Sequence, residues 1–246
     1  MTVRVFVGTL ACGEAELPEC RASVAAQKSV WITHHVIENL PELQAHNALW
    51  SAWNAAKGAH DLFVKIDADT VLARDTALAE IAALFADPDV TGAQILLHDY
   101  FTDRLMAGLN CFSRDVIFRQ GTDRLFTDRV DTGHRKVLKG GSVRHLAPIG
   151  WHCRNPYPRQ AFHFGLHRAL KKQNEIVARC AEVWLQKRDE ARCWALAGAM
   201  SVGWRLRRHF DYGNARFEDA FAAMADRSER ERRVEDFALR KAAKAA

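Results

Sequence analysis

The chain has 246 residues, 48% of them hydrophobic and 26% charged, with 14 glycines, 6 prolines and a formal net charge of +5. That balance excludes a disordered or fibrous protein and leaves chain enough for one large domain, or one domain with a helical appendage. The apolar run from Trp194 to Trp204 is about half of what a bilayer crossing needs.

Taken in chain order, Val3 to Val7 is a short β-rich run ending in Gly8-Thr9, which predicts a first strand and a turn. Glu14 to Gln27 reads as a helix, Val30 to Ile37 as a second strand. Pro41-Glu42 suits the first turn of the next helix, whose buried side is marked by Leu49, Ala52, Trp53 and Ala56 and which Gly58 stops. Leu62 to Ile66 predicts a third strand, Ala77 to Phe85 a helix and Thr91 to Leu97 a fourth strand. Strand and helix alternate in units of about 30 residues, so the expected fold class is α/β, a largely parallel sheet covered on both faces. Ligands of such sheets sit beyond the carboxyl ends of the strands. Beyond residue 100 the pattern is less regular, and from about Pro158 it is mostly helical, closing in a charged tail from Arg227 to Lys244.

The net charge conceals an asymmetry. Residues 1–100 hold 6 Lys/Arg against 13 Asp/Glu, and residues 101–246 hold 29 against 17. No acidic residue lies between Asp131 and Glu175, a stretch with nine Lys/Arg and five histidines. An acidic first half can hold a cation and a basic second half an anion; a solvated basic face is the plainer alternative. The six cysteines contain no CxxC pair, and Met1-Thr2-Val3-Arg4 runs straight into a strand-like stretch. Both point to a reducing, cytoplasmic location.

The most informative segment is Phe63-Val-Lys-Ile-Asp-Ala-Asp-Thr-Val71, an apolar strand that ends in Asp67 and Asp69. Two carboxylates at positions i and i+2 tend to share a side, and paired hard oxygens suit Mg²⁺ or Mn²⁺ against a phosphate. The chain carries 17 aspartates, and Asp87-Pro88-Asp89 repeats the spacing in a polar, proline-containing link where a turn role is expected. Asp67 and Asp69 differ in following a buried strand at the ligand-binding edge; helix capping is the alternative for them.

The order Val5-Phe-Val-Gly-Thr9, Ser23-Val-Ala-Ala-Gln27, Ala45-His-Asn47 and Lys65-Ile-Asp-Ala-Asp-Thr70 resembles the GT-A fold glycosyltransferases, above all the family 2-like group that uses nucleotide-sugar donors. The resemblance covers roughly residues 3–152. It implies a Rossmann-like catalytic domain over residues 1–157, with residues 158–246 as a helical C-terminal extension. It further implies that Thr9 and Glu14 lie along the nucleotide, that Glu38 stands near the base or ribose, and that Asn47, Lys65, Asp67 and Arg154 contribute to donor binding. Glu38-Asn39 stands where the family often has an Asp-Asp pair. A plain first-turn acid is the alternative for Glu14, a surface position for Asn47, and a core position for Trp50 and Trp53. The implied metal ligands for Mn²⁺ or Mg²⁺ are Asp67, Asp69 and His152, the last matching a histidine that many of these enzymes supply after the core sheet.

The family places an acid some 60 residues after the DxD element, which points to Asp128 as the base for an acceptor hydroxyl in an inverting reaction, with Asp131 behind it. The alternative for either is an ion pair with Arg129 or Arg135. His163 and His167, four apart, would share one helix face as diphosphate contacts or packing residues, with metal binding as the alternative for the pair. Arg154, Arg159 or Lys171 would add positive potential near the diphosphate.

By family analogy the acceptor is a saccharide or lipid-linked hydroxyl in surface polysaccharide or glycoconjugate synthesis. The tail then offers peripheral contact at the inner face of a membrane; packing on the core, pairing with another chain and a solvated helix are its other readings. A sugar-phosphate nucleotidyltransferase shares the metal logic but would carry a Gly-rich basic loop where Thr9-Leu-Ala-Cys-Gly13 stands. A basic nucleic-acid-binding protein is the rival from another class; no recognition signature supports a nucleic-acid partner.

Overall fold

The computed structural model describes residues 2–202 and 210–243. Gly203 and Trp204 of the apolar run, and Lys244 of the tail, lie outside them. By internal packing the chain divides into two compact units, Met1–Tyr100 with Arg104–Arg154, and Phe101–Asp103 with Asn155–Ala246.

The first unit is an α/β layer structure. Its elements run β1 (Val3–Ala11), α1 (Leu17–Ala25), β2 (Val30–Glu38), α2 (Glu42–Ala56), β3 (Leu62–Asp67), β4 (Thr70–Leu72), α3 (Ala77–Ala83), β5 (Val90–Asp99), β6 (Arg104–Ser113), β7 (Ile117–Phe118), β8 (Asp131–Thr132), β9 (Lys136–Leu138) and β10 (Gly150–His152). The main sheet has the order β2-β1-β3-β6-β5-β10-β4, with β9 beside β5. Pairing is parallel at β1–β2, β1–β3, β5–β10 and β5–β9, and antiparallel at β3–β6, β5–β6 and β4–β10. Only β4 and β6 therefore run against the rest of this sheet. The mostly parallel sheet with covering helices is the fold class expected.

Strand alternation sorts the core into two layers. Val5, Val7, Leu62, Val64 and Ile66 turn to one face, against Cys20 and Val24 of α1 and Leu78 and Ile81 of α3. Phe6 and Phe63 turn to the other, against Leu49, Trp50 and Trp53 of α2. Trp50 and Trp53 are fully buried, Trp50 stacked on Phe118 at 4.2 Å and Trp53 on Phe63 at 5.1 Å.

Some expectations need correction. Gly8-Thr9 is not a turn, because parallel pairing to β2 and β3 carries β1 through to Ala11. Gly8 serves close packing instead: a Cβ there would lie 2.4 Å from Leu49 Cδ1. The first helix is shorter than expected, beginning at Leu17 with Pro18 in its first turn, and α3 gives way after Ala83 to a 3₁₀ turn, Leu84–Ala86. Asp87 does take the turn role: its Oδ1 accepts from the Asp89 amide and its carboxylate pairs with Lys136.

The second unit is helical: α4 (Pro158–Leu170), α5 (Asn174–Lys187), α6 (Glu190–Met200), α7 (Ala215–Ala222) and α8 (Arg227–Ala243). Gly165 and Gly198 let α4 and α6 cross backbone to backbone, since a Cβ at Gly165 would fall 1.6 Å from the Ala195 carbonyl oxygen and one at Gly198 1.9 Å from that of Phe162. The β5–β6 turn belongs to this unit. Phe101 is fully buried and stacks on Phe164 at 4.0 Å, Arg192 and Arg179 donate to the Phe101 and Thr102 carbonyls, and Lys187 pairs with Asp103. The charged tail becomes α8, which buries Arg230, Val234 and Ala238 and packs on α5 and α6.

Candidate functional site

Because β1, β2, β3, β5 and β10 share one direction, their carboxyl ends share one rim. Glu38, Asp67, Asp99 and His152 are the last residues of their strands, and Glu14 and Asp69 stand in the turns that follow β1 and β3. The ordinary topology of an α/β sheet thus concentrates acidic groups and one histidine where such sheets bind ligands.

Asp69 and His152 meet there. The chain turns at Ala68-Asp69, and β4 then runs antiparallel to β10 with Thr70 opposite His152. On its other side His152 is in parallel register with Asp99. Asp99, fully buried, brings Oδ1 to 2.7 Å from His152 Nδ1. Imidazole orientation is therefore set by a carboxylate behind it, which leaves Nε2 directed forward, 3.7 Å from Asp69 Oδ2. A carboxylate on one ring nitrogen is the usual support of a histidine that binds metal through the other. Cys153 completes the group: its amide donates to the Asp69 carbonyl at 2.8 Å and its thiol to Asp69 Oδ2 at 3.1 Å. One ligand atom each from Asp69, His152 and Cys153 lie within 4.8 Å of one another. Burial pushes the Cys153 thiol well above its ordinary pKa, and the Asp69 charge adds to this.

Asp67 takes a different partner. As a strand residue it shares a face with Lys65, whose Nζ lies 2.5 Å from its Oδ1. Desolvation at the rim opposes the charged carboxylate, but the Lys65 ammonium outweighs it and holds Asp67 below the usual range. Strand parity ends at Asp67, so the i, i+2 rule does not carry over to Asp69 in the turn. Both carboxylates nonetheless act on Glu14, whose pKa burial pushes up to about 7, with Asp69 and Asp67 adding to the rise. The Glu14 carboxylate also accepts from the Cys12 amide at 2.5 Å.

Asp128 belongs to the same electrostatic neighbourhood: its charge acts on Lys65 and on His46. His46 is buried, which with the Lys65 charge lowers its pKa to about 4 and keeps the ring neutral. Trp50 Nε1 donates to the Thr127 carbonyl at 3.3 Å, fixing the loop one residue before Asp128. A cavity of about 320 Å³ is lined by Gln120, Thr122, Asp123, Phe126, Arg129 and Val130 of that loop.

Other candidates are engaged elsewhere. Asp131 pairs with His134 rather than with Arg129 or Arg135, which meet the Phe126 ring and Asp115. Thr9 is fully buried, its hydroxyl 2.9 Å from His34 Nε2. Glu38 pairs with Arg21, and the Arg154 guanidinium lies over Trp151 at 4.9 Å. Asn47 holds the Gly121 backbone with both amide atoms, accepting at 2.6 Å and donating at 3.0 Å. In the helical unit the His163 and His167 rings lie 5.5 Å apart among Tyr212, Phe210 and Phe217, and burial lowers the His163 pKa to about 4. Arg159 pairs there with Glu218.

Ser23 and Gln27 act on the backbone. Ser23 Oγ accepts from the Leu72 amide, while Gln27 receives the Leu78 amide and donates to the Arg74 carbonyl, so α1 and the residues just past its end clasp the segment that follows Asp69. Asp99 and Cys153 escaped the sequence reading. For Cys153 the available signal was its place beside His152, and for Asp99 an acid two residues past the predicted strand Thr91 to Leu97.

No protein-family model matches the chain, and no curated relative matches it. Among solved structures it is similar to a mannosyltransferase, PcManGT from Pyrobaculum calidifontis, solved with GDP-Man and Mn²⁺ (15% identity, 99% of this chain and 86% of that one, TM-score 0.46). It is also similar to S. aureus TarS (11%, 98% and 49%, 0.38) and to a glycosyltransferase involved in glycosylation of the major capsid of PBCV-1 (12%, 44% and 60%, 0.31). At these identities and scores the likenesses carry no argument about chemistry. Among the described residues no helix is long and apolar enough to cross a membrane.

Proposed function

We propose that the chain is a divalent-cation-dependent glycosyltransferase that moves a sugar from a nucleotide-sugar donor to a hydroxyl of a saccharide or lipid-linked acceptor, with inversion. The observation that carries this reading is the meeting of Asp69 with His152 at the strand rim, with Asp99 locking the imidazole from behind. Asp69 and His152 would hold the cation, and an imidazole beside a carboxylate suits Mn²⁺ better than Mg²⁺. An ion held there would supply positive charge against a departing diphosphate.

The remaining roles belong to the chain's own groups. Lys65 keeps Asp67 ionised next to the donor site, and its ammonium adds local positive potential. Asp128 takes the proton of the acceptor hydroxyl, with neutral His46 and cationic Lys65 nearby and its loop fixed by Trp50. Arg154, supported on Trp151, supplies a phosphate contact.

A thermal-shift series with nucleoside diphosphates, with and without Mn²⁺, tests this directly, because ligands of the native state raise its apparent stability. Stabilisation should require both components together. Asp69→Ala should abolish it along with transfer; undiminished binding and transfer in that variant would refute the assignment.

A further inference from the structure

Cys153 stands at this rim, and the proposed chemistry gives it no role. It is 1% exposed, directly follows β10 and has φ +55°. Strand alternation would send its side chain to the face opposite His152. The left-handed backbone breaks that alternation, so Sγ returns to the same carboxylate oxygen that His152 faces. Residues other than glycine hold such a conformation where the surroundings over-determine it, commonly at functional sites. Here the Cys153 amide on the Asp69 carbonyl does so.

The spacing fits a shared cation. Ligand bonds of about 2.0–2.3 Å in a tetrahedron put donor atoms roughly 3.3–3.5 Å apart. Two of the three separations are close to this, 3.1 Å for Sγ to Asp69 Oδ2 and 3.7 Å for His152 Nε2 to the same oxygen, and the three ligand atoms lie within 4.8 Å of one another, so a small inward shift would seat an ion. Asp67 is outside the group, its carboxylate on Lys65.

We infer that Cys153 is a thiolate ligand of the rim cation, making an Asp–His–Cys site that takes Co²⁺ or Zn²⁺ in preference to Mg²⁺. The inference rests on the metal-site reading above and adds a soft donor to it. On binding, the thiol proton leaves to solvent and sulfur bonds the ion. A thiolate and an imidazole select borderline-soft ions, whereas Mg²⁺ demands an oxygen octahedron.

The test is titration of the full reduced chain with Co²⁺, read by absorption and by competition with Mn²⁺. Wild type should develop an intense near-ultraviolet sulfur-to-cobalt charge-transfer band that saturates with binding. Cys153→Ser should lose the band and bind Co²⁺ about tenfold more weakly or worse. Co²⁺ binding with no such band, or a band that survives in Cys153→Ser, overturns the thiolate ligand and leaves the Asp69–His152 reading standing. Absence of any Co²⁺ or Mn²⁺ binding to the wild type overturns both. Should the serine variant not fold, the wild-type spectrum and Cys153→Ala decide the matter.

Discussion

Asp99 supports the site from behind His152. Asp99→Asn keeps the size and one acceptor oxygen but removes the charge that fixes the ring tautomer. Mn²⁺ affinity should fall about 10–100-fold, measured by calorimetric titration. Glu14 gives a pH signature at the same scale. Its pKa is raised from 4.5 to about 7, so the folded chain binds this proton more tightly than the unfolded chain does. The associated stability is fully present below about pH 4.5 and lost as pH rises through 7. Glu14→Gln should flatten the Tm profile across that window and raise Tm above pH 7 relative to wild type; an unchanged slope would place the buried proton elsewhere. The place of Asp67 and Asp69 at a strand's carboxyl end was legible in the sequence because an apolar strand runs straight into them. Asp99 and Cys153 were not, since their meaning depends on β10 lying between β5 and β4, which joins His152 to Asp99 across 53 positions and Cys153 to Asp69 across 84.

At the scale of elements, α2 links the core to the candidate base. Trp50 stacks on Phe118 and donates to the Thr127 carbonyl. Trp50→Phe keeps the aromatic packing and loses the donor, for a cost of about 0.5–1.5 kcal/mol in urea unfolding. It should also speed amide exchange in the segment around Asp128, whereas Trp50→Ala should cost about 3–5 kcal/mol. Helix α2 and the alternating strands could be foreseen because spacing alone marks their buried sides. Gly8 misled for a physical reason: glycine serves a turn or a close approach equally well, and only the position of Leu49 distinguishes them. The short strands β7 to β10 lacked any periodicity to read, being two or three residues long and held by partners distant in sequence.

At the scale of the molecule, the helical unit rests on a crossing that admits no side chain. Gly165→Ala would drive a methyl group onto the Ala195 carbonyl. It should lower the melting temperature of the helical signal by far circular dichroism, more than a matched alanine substitution on the exposed side of α4; equal effects would show that the crossing relaxes freely. The late helices could be seen in the sequence as a class, but their companionship with residues 101–103 could not, because nothing in the composition of Phe101-Thr-Asp103 distinguishes it from an ordinary hairpin turn.

That borrowed turn governs how the gene can be divided. Cutting after Arg154 strands Phe101 on the wrong piece: the helical fragment loses the ring that stacks on Phe164 and the carbonyls that receive Arg179 and Arg192. The sheet fragment inherits an apolar plug with no socket. Split halves should therefore recover native behaviour only when produced together, and a permutant that opens the chain elsewhere should tolerate the operation better than any simple truncation.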